Sequence, residues 1–224
     1  AIPYVQVDDS RRALAQMSNH YFGHPAESMT MVGVTGTNRK TTTTFLVRSV
    51  LEQVTGKKVG LMGTNVNIVG DREFPAQRTT PESYEVFQLL AQMREAGCAY
   101  AVMEVSSHSL ELDRVYGIEF DAAVFTNLSR DHLDFHQTME RYQAAKANLF
   151  PMARWGLGNL DDPAGKTMME QGTCTFQTYS AKDDNADLVA KNINLKPDRV
   201  EFEAVGKGII HRISLGIPGM FSVY

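Results

Sequence analysis

Residues 29–45, MTMVGVTGTNRKTTTTF, join an apolar run to a Gly/Thr turn, Lys40 and four consecutive threonines. Backbone N–H groups of such a turn, and the N-terminus of the helix after it, converge on an anion. Lys40 adds a point charge suited to β/γ-phosphates, and the Thr41 hydroxyl suits Mg²⁺. The stretch therefore reads as a Mg²⁺-nucleotide loop lined by Gly36, Thr37, Asn38, Arg39, Lys40, Thr41 and Thr42. One residue departs from that chemistry. The pattern G-K-[ST] places glycine before the lysine, and here the position is Arg39.

Two further apolar runs end in polar residues. Residues 100–105, YAVMEV, carry Glu104 and lead into Ser106, Ser107 and His108, while residues 122–126, AAVFT, lead into 127–132, NLSRDH. Ligands of open α/β sheets gather at the carboxyl ends of the strands, so these sets are expected to share one crevice with the loop. Together they supply the hydroxyls, carboxylates, imidazoles and cations that a Mg²⁺-nucleotide site uses. His132 and His136, four apart and flanked by Asp131 and Asp134, are also open to a zinc reading. The HExxH glutamate is missing, however, and Phe135 stands between them. Lys146, in YQAAKANLF, reads on composition alone as an exposed helix lysine.

The elements that would position these residues are set out by periodicity. Asp9 and Ser10 are expected to cap a helix over 11–21, in which Leu14, Met17 and Tyr21 recur at helical spacing. Residues 41–54 predict a helix with Phe45, Leu46, Val50, Leu51 and Val54 along one stripe, ended by Thr55-Gly56, and 58–62 predict a strand. Residues 63–77 are polar and irregular, with a turn signal at Gly70-Asp71. Thr80 is expected to cap a helix from Pro81 to about residue 96. Another helix is expected over 138–150. Strands separated by helices of this length predict an α/β fold: a P-loop-type, doubly wound, mostly parallel sheet with helices on both faces. The runs 174–179, 186–195, 200–205 and 209–215 predict a small antiparallel β appendage near the C-terminus, with Lys207-Gly208 as a hairpin turn.

Composition narrows the function classes. The 224 residues are 43% hydrophobic and 21% charged, as in an ordinary globular domain. A net charge of −4 gives no basic footprint for nucleic acid. Cys98 and Cys174 show no metal or redox spacing, and no apolar run reaches membrane-span length. A cytoplasmic protein with free thiols is the expectation, without a nucleic-acid partner or membrane span.

Taken together, these motifs resemble the Mur ligases of peptidoglycan synthesis, and within that family the branch that adds the third amino acid. The matching pieces are VGVTGTNRKTTTT, TTPES (79–83), MEVSSHSLELDR (103–114), FTNLSRDHLDFHQTMERYQAAKANLF (125–150), NLDD (159–162) and PGMFSVY (218–224). The resemblance runs in family order from about residue 29 to the end. It implies a central ATP-binding domain over 29–224, with 1–28 as a linker from an N-terminal domain. It implies an ATP-dependent amide ligase in which the D-Glu carboxylate of UDP-MurNAc-L-Ala-D-Glu becomes an acyl phosphate. The amine of diaminopimelate or lysine then displaces phosphate. Lys40 and Lys146 would be the catalytic lysines. Thr41, Glu104, His132 and Lys146, the last as a carbamate, would hold Mg²⁺. Asn159 and Asp161 would join the ATP site, and Thr79, Thr80, Ser106 and Arg114 would hold the UDP-MurNAc-dipeptide. A monomer is expected.

Departures from the family qualify the expectation. Arg39 replaces the loop glycine, Ser222 stands where the family often has asparagine, and neither flanking domain is in the sequence. The 224 residues alone are expected to have little ligase activity, with ATP binding weakened by Arg39 and recovered by Arg39→Gly. A related ligase such as a folylpolyglutamate synthetase or another Mur enzyme is the alternative within enzymes. A degenerate nucleotide-site domain acting as an interaction module is the alternative outside them.

Overall fold

The computed structural model describes residues 4–224, so the first three residues of the expected linker lie outside the described part. The chain runs α1 (Ser10–Tyr21), β1 (Thr30–Thr35), α2 (Lys40–Thr55), β2 (Val59–Met62), β3 (Val66–Val69), β4 (Arg72–Pro75), α3 (Ser83–Glu95) and β5 (Tyr100–Glu104). It continues through α4 (Ser107–Glu111), β6 (Phe120–Phe125), α5 (Leu133–His136), α6 (Met139–Ala147), β7 (Ala153–Asn159) and α7 (Pro163–Gln171). The last strands are β8 (Thr175–Ser180), β9 (Leu188–Leu195), β10 (Val200–Gly206) and β11 (Ile209–Leu215). All eleven strands form one sheet in the order β11-β10-β9-β8-β7-β6-β1-β5-β2-β3-β4.

The middle of that sheet is parallel. Strands β2, β5, β1, β6, β7 and β8 pair in parallel, with β1 central and buried along five of its six residues. A central parallel strand is covered on both faces, which is why 29–34 reads as a continuous apolar run. The larger core lies on one face, where Met31, Met103 and Phe125 meet Phe87, Leu90 and Met93 of α3 and Met168 of α7. On the other face Val32, Val59 and Val102 pack under Val47 and Leu51 of α2. Helices thus cover both faces of a mostly parallel sheet. Among the described residues no helix is long and apolar enough to cross a membrane.

Several local expectations change. The run 174–179 is not antiparallel: β8 pairs in parallel with β7 and with β9, because α7 provides the crossover from β7. Asp162 caps α7 and Pro163 occupies its first turn, so the residues that follow the end of β7 also start a helix. The antiparallel appendage is β9, β10 and β11, with Lys207 and Gly208 at positive φ in the last turn. Residues 63–77 hold the hairpin β3–β4, turning at Gly70 with φ +60°. Helix α3 begins at Ser83, capped by Glu82 with Glu85 reaching back, which frees Thr80 from the capping role.

Much of the two expected apolar stripes faces outward, although Leu51 of α2 packs on the sheet. Leu14, Met17 and Tyr21 are exposed on α1, which buries Ala15 and Ser18 instead. On α2, Phe45, Val50 and Val54 are exposed, and Thr44 is buried. The phosphate loop sets this rotation. With Thr41 turned to the strand ends, Thr44, one turn on, must meet the sheet.

Candidate nucleotide and metal site

Register levels the carboxyl ends of the central strands: Val34 pairs with Glu104 on one side and Val124 on the other. Side chains alternate between faces along a strand, so Glu104 shares the α2 face with Val102. It therefore meets the first turn of α2, where Thr41 Oγ1 donates to Glu104 Oε1 at 2.9 Å. Glu104 is 1% exposed and makes no ion pair among the described residues. A buried carboxylate without a cation is costly, and hard oxygen donors of this kind suit a divalent cation.

The loop itself is stitched to the residues after β6. Thr37 N–H donates to Asn127 O at 2.8 Å and Asn38 N–H to Asn127 Oδ1 at 3.1 Å. Thr126 Oγ1 donates to Asn38 O at 2.8 Å. Gly36 has φ +147°, and a Cβ there would lie 2.0 Å from Thr126 Oγ1, so only glycine fits. Arg39, at φ +73°, is the N-terminal cap of α2 and makes no capping hydrogen bond. The first N–H groups of a 16-residue helix are thus left without a side-chain cap, which is an anion site. The Arg39 guanidinium lies 5.2 Å from the centre of the Tyr224 ring.

Two ammonium groups close on one oxygen. Lys40 Nζ donates to Gly36 O and Thr37 O, and Lys146 Nζ to Gly36 O, all at 2.9 Å. Lys40 is pushed down by burial, with Glu104 and Asp131 opposing. Lys146 is 1% exposed, and burial together with Lys40 pushes its pKa down to about 7. It lies over the Tyr142 ring, 4.4 Å from the centroid, and Tyr142 Oη is 3.2 Å from Thr37 Oγ1. The surface-lysine reading of Lys146 is overturned, since α6 packs this last-turn residue inward.

His132 sits at φ +51° before α5, half-exposed, 3.6 Å from the Asp131 carboxylate. Its ring meets His108 at 4.9 Å and Tyr142 at 6.0 Å, so it reaches the loop through Tyr142. His136 is buried and hydrogen-bonded to Ser107 Oγ at 2.9 Å; burial and then Lys146 push its pKa down. No cluster of three or more His, Cys, Asp or Glu suited to a metal occurs among the described residues.

The residues expected at the dipeptide form a second group. Thr80 Oγ1 donates to Glu104 O at 2.7 Å and accepts from Ser106 N–H at 3.1 Å. Thr80 thus ties two loops with its own hydroxyl, while Ser106 Oγ accepts from Ser109 N–H as the α4 cap. Arg114 pairs with Glu82 at 2.8 Å, and its Nε has no partner. Thr79 lies 3.0 Å from Thr64 Oγ1. Thr42 is exposed on α2. Asn159 has both ends of its amide engaged, with Thr126 O and Asp161 N–H. Asp161 accepts from Ser180 Oγ and Ala181 N–H, and burial, followed by Asp161, pushes Tyr224 up to about 12. Thr64 and Tyr142 are the contributors that sequence reasoning missed. Thr64 stands just past the strand at 58–62, in the place where the other parallel strands carry their polar residues, and that position is its signal. Tyr142 gives no signal beyond helical spacing.

The family described as the Mur ligase middle domain matches residues 34–224. The chain belongs to the Mur ligase family. Among similar Mur ligases, the UDP-N-acetylmuramoyl-L-alanyl-D-glutamate--2,6-diaminopimelate ligase of Clostridium tetani is 47% identical over 99% of this chain and 45% of its own length. The protein of that name from Clostridium perfringens is 46% identical over 100% of this chain and 46% of its own. A solved structure of a ligase of this name superimposes with a TM-score of 0.83 at 27% identity, covering 95% of this chain and 45% of that one. The chain spans about half the length of the relatives it matches.

Proposed function

We propose that this Mur ligase middle domain binds Mg·ATP and serves an amide ligase that extends UDP-MurNAc-L-Ala-D-Glu by one amino acid. The observation that carries the reading is the Thr41–Glu104 pair beside the open end of α2, with Lys40 and Lys146 drawn over the same loop. The names of the relatives favour diaminopimelate over lysine as the incoming amine. Residues 29–224 would be the central domain and 1–28 the linker. A cytoplasmic, monomeric state accompanies the reading, with Cys98 and Cys174 as free thiols.

On this reading the first N–H groups of α2 and the third donor of Lys40 take the terminal phosphates. Thr41, Glu104 and His132 are the side chains that would hold Mg²⁺, with Lys146 joining them as a carbamate. Bound magnesium supplies neutralisation of phosphate charge, and the residues present fit it, being hard oxygen and imidazole donors beside an unpaired buried carboxylate. Lys146 suits carbamylation because an amine with a pKa of about 7 is substantially neutral at physiological pH. The adduct also replaces a cation that repels Lys40 with an anion that attracts it. The Ser106 hydroxyl offers a donor to a substrate carboxylate, with the charge of Arg114 held beside Thr80, and holding the carboxylate in line with the terminal phosphate favours acyl-phosphate formation. Thr80 acts here by fixing Ser106, and Asn159 and Asp161 by fixing the loops around the nucleotide.

Calorimetric titration with Mg·ATP tests the reading. Saturable binding that strengthens in bicarbonate is expected, together with a carbamate resonance when ¹³C-bicarbonate is used. Absence of heat at millimolar nucleotide would refute it and favour a domain kept for interaction alone.

A further inference from the structure

Strand β2 ends at Met62, in parallel register with Met103, so Gly63 and Thr64 leave the sheet alongside Glu104. A Cβ on Gly63 would lie 2.6 Å from Glu104 Oε1, so the carboxylate is packed against bare backbone. Thr64 then grips both oxygens. Its N–H donates to Oε1 at 2.9 Å and its hydroxyl to Oε2 at 3.0 Å. With the Thr41 hydroxyl on Oε1, three donors fix the rotamer of a side chain that is 1% exposed.

A threonine hydroxyl has one proton. The Thr64 hydroxyl therefore shares it between Glu104 Oε2 and Thr79 Oγ1, each at 3.0 Å, and this shared contact ties the carboxylate to the Thr79 loop.

We infer that Thr64 is a positioning residue, which holds the Glu104 carboxylate in the orientation that receives a divalent cation and links it to the Thr79 loop. The inference rests on the proposed metal role of Thr41 and Glu104. Partners that orient a metal-binding carboxylate influence affinity by roughly 10–100-fold without touching the metal. The backbone half of the grip survives substitution at 64 by valine or serine, whereas the hydroxyl half depends on the side chain.

The test is Mn²⁺ binding in the presence of ADP, read from the electron paramagnetic resonance signal of free Mn²⁺ in the purified protein. Thr64→Val is expected to weaken Mn²⁺ about 10-fold or more, and Thr64→Ser to recover it, since serine keeps the donor. Gly63→Ala, which pushes on Oε1 directly, is expected to weaken Mn²⁺ likewise, and it carries the test if Thr64→Val does not fold. Wild-type affinity in Thr64→Val, or equal loss in the Val and Ser variants, overturns the role of Thr64 while leaving the metal site in place. No Mn²⁺ binding by the wild type overturns both.

Discussion

Replacing Lys146 with methionine should make the ligand-free protein more stable, and more so in acid than in alkali. An ordinary lysine titrates near 10.4, so a pKa of about 7 means the fold disfavours the ammonium by about 5 kcal/mol. Between those values the unfolded chain binds more protons than the folded one, so wild-type stability rises with pH across that window. Near pH 6 almost the whole penalty is present, and near pH 9.5 about 1.4 kcal/mol of it remains. The hydrogen bond to Gly36 O and the Tyr142 contact are lost at both pH values, so they cancel in the comparison. Lys146→Met should therefore gain about 3 kcal/mol more at pH 6 than at pH 9.5. Urea unfolding in CO₂-free buffer at the two values measures it, and Mg·ATP titration should show the metal-dependent part of binding lost. Equal gains at both pH values, or a larger gain in alkali, would refute the assignment of a strained buried ammonium.

Two further outcomes can be checked independently. Arg39→Gly relieves about 1–2 kcal/mol of left-handed backbone strain and should tighten Mg·ATP several-fold by clearing the α2 N-terminus; an unchanged dissociation constant would mean that the guanidinium, held on Tyr224, already lies clear of the phosphates. Thr80→Val should cost about 1–3 kcal/mol in thermal or urea unfolding, because it strips a partner from Ser106 N–H, and Thr80→Ser should restore most of it.

The parallel core was legible in the sequence because buried strands announce themselves as apolar runs, and the residues at their carboxyl ends could be named from that alone. Gly36, Lys40, Thr41 and Glu104 come together for this reason. Lys146 was legible only through resemblance, since its burial depends on how α6 packs, which helical periodicity does not report. The outward stripes of α1 and α2 show the same limit: apolar spacing identifies a helix, while the tertiary constraint at its end decides which face is buried. Strand β8 was misread because a short β-like run carries no mark of its partner's direction, and the crossover helix α7 opens at a proline that also reads as a turn. Thr64 was missed because it stands in a polar stretch with a turn signal, although the strand that ends just before it was legible.

The bond from Lys146 Nζ to Gly36 O joins groups 110 residues apart in the chain. It also orders events in time. During synthesis the loop emerges with β1, α2 and Lys40, one of the two donors to Gly36 O, but Lys146, the other, is made only after β5, β6 and most of α6. The Thr126 and Tyr142 contacts to the loop are likewise supplied from beyond residue 125, before Lys146 itself is made. A ribosome-bound chain ending before residue 146 would carry the whole phosphate-loop motif and still lack this second hold on Gly36 O. On the proposed reading, ATP would protect chains that have passed β6 and α6 while leaving shorter ones to proteolysis.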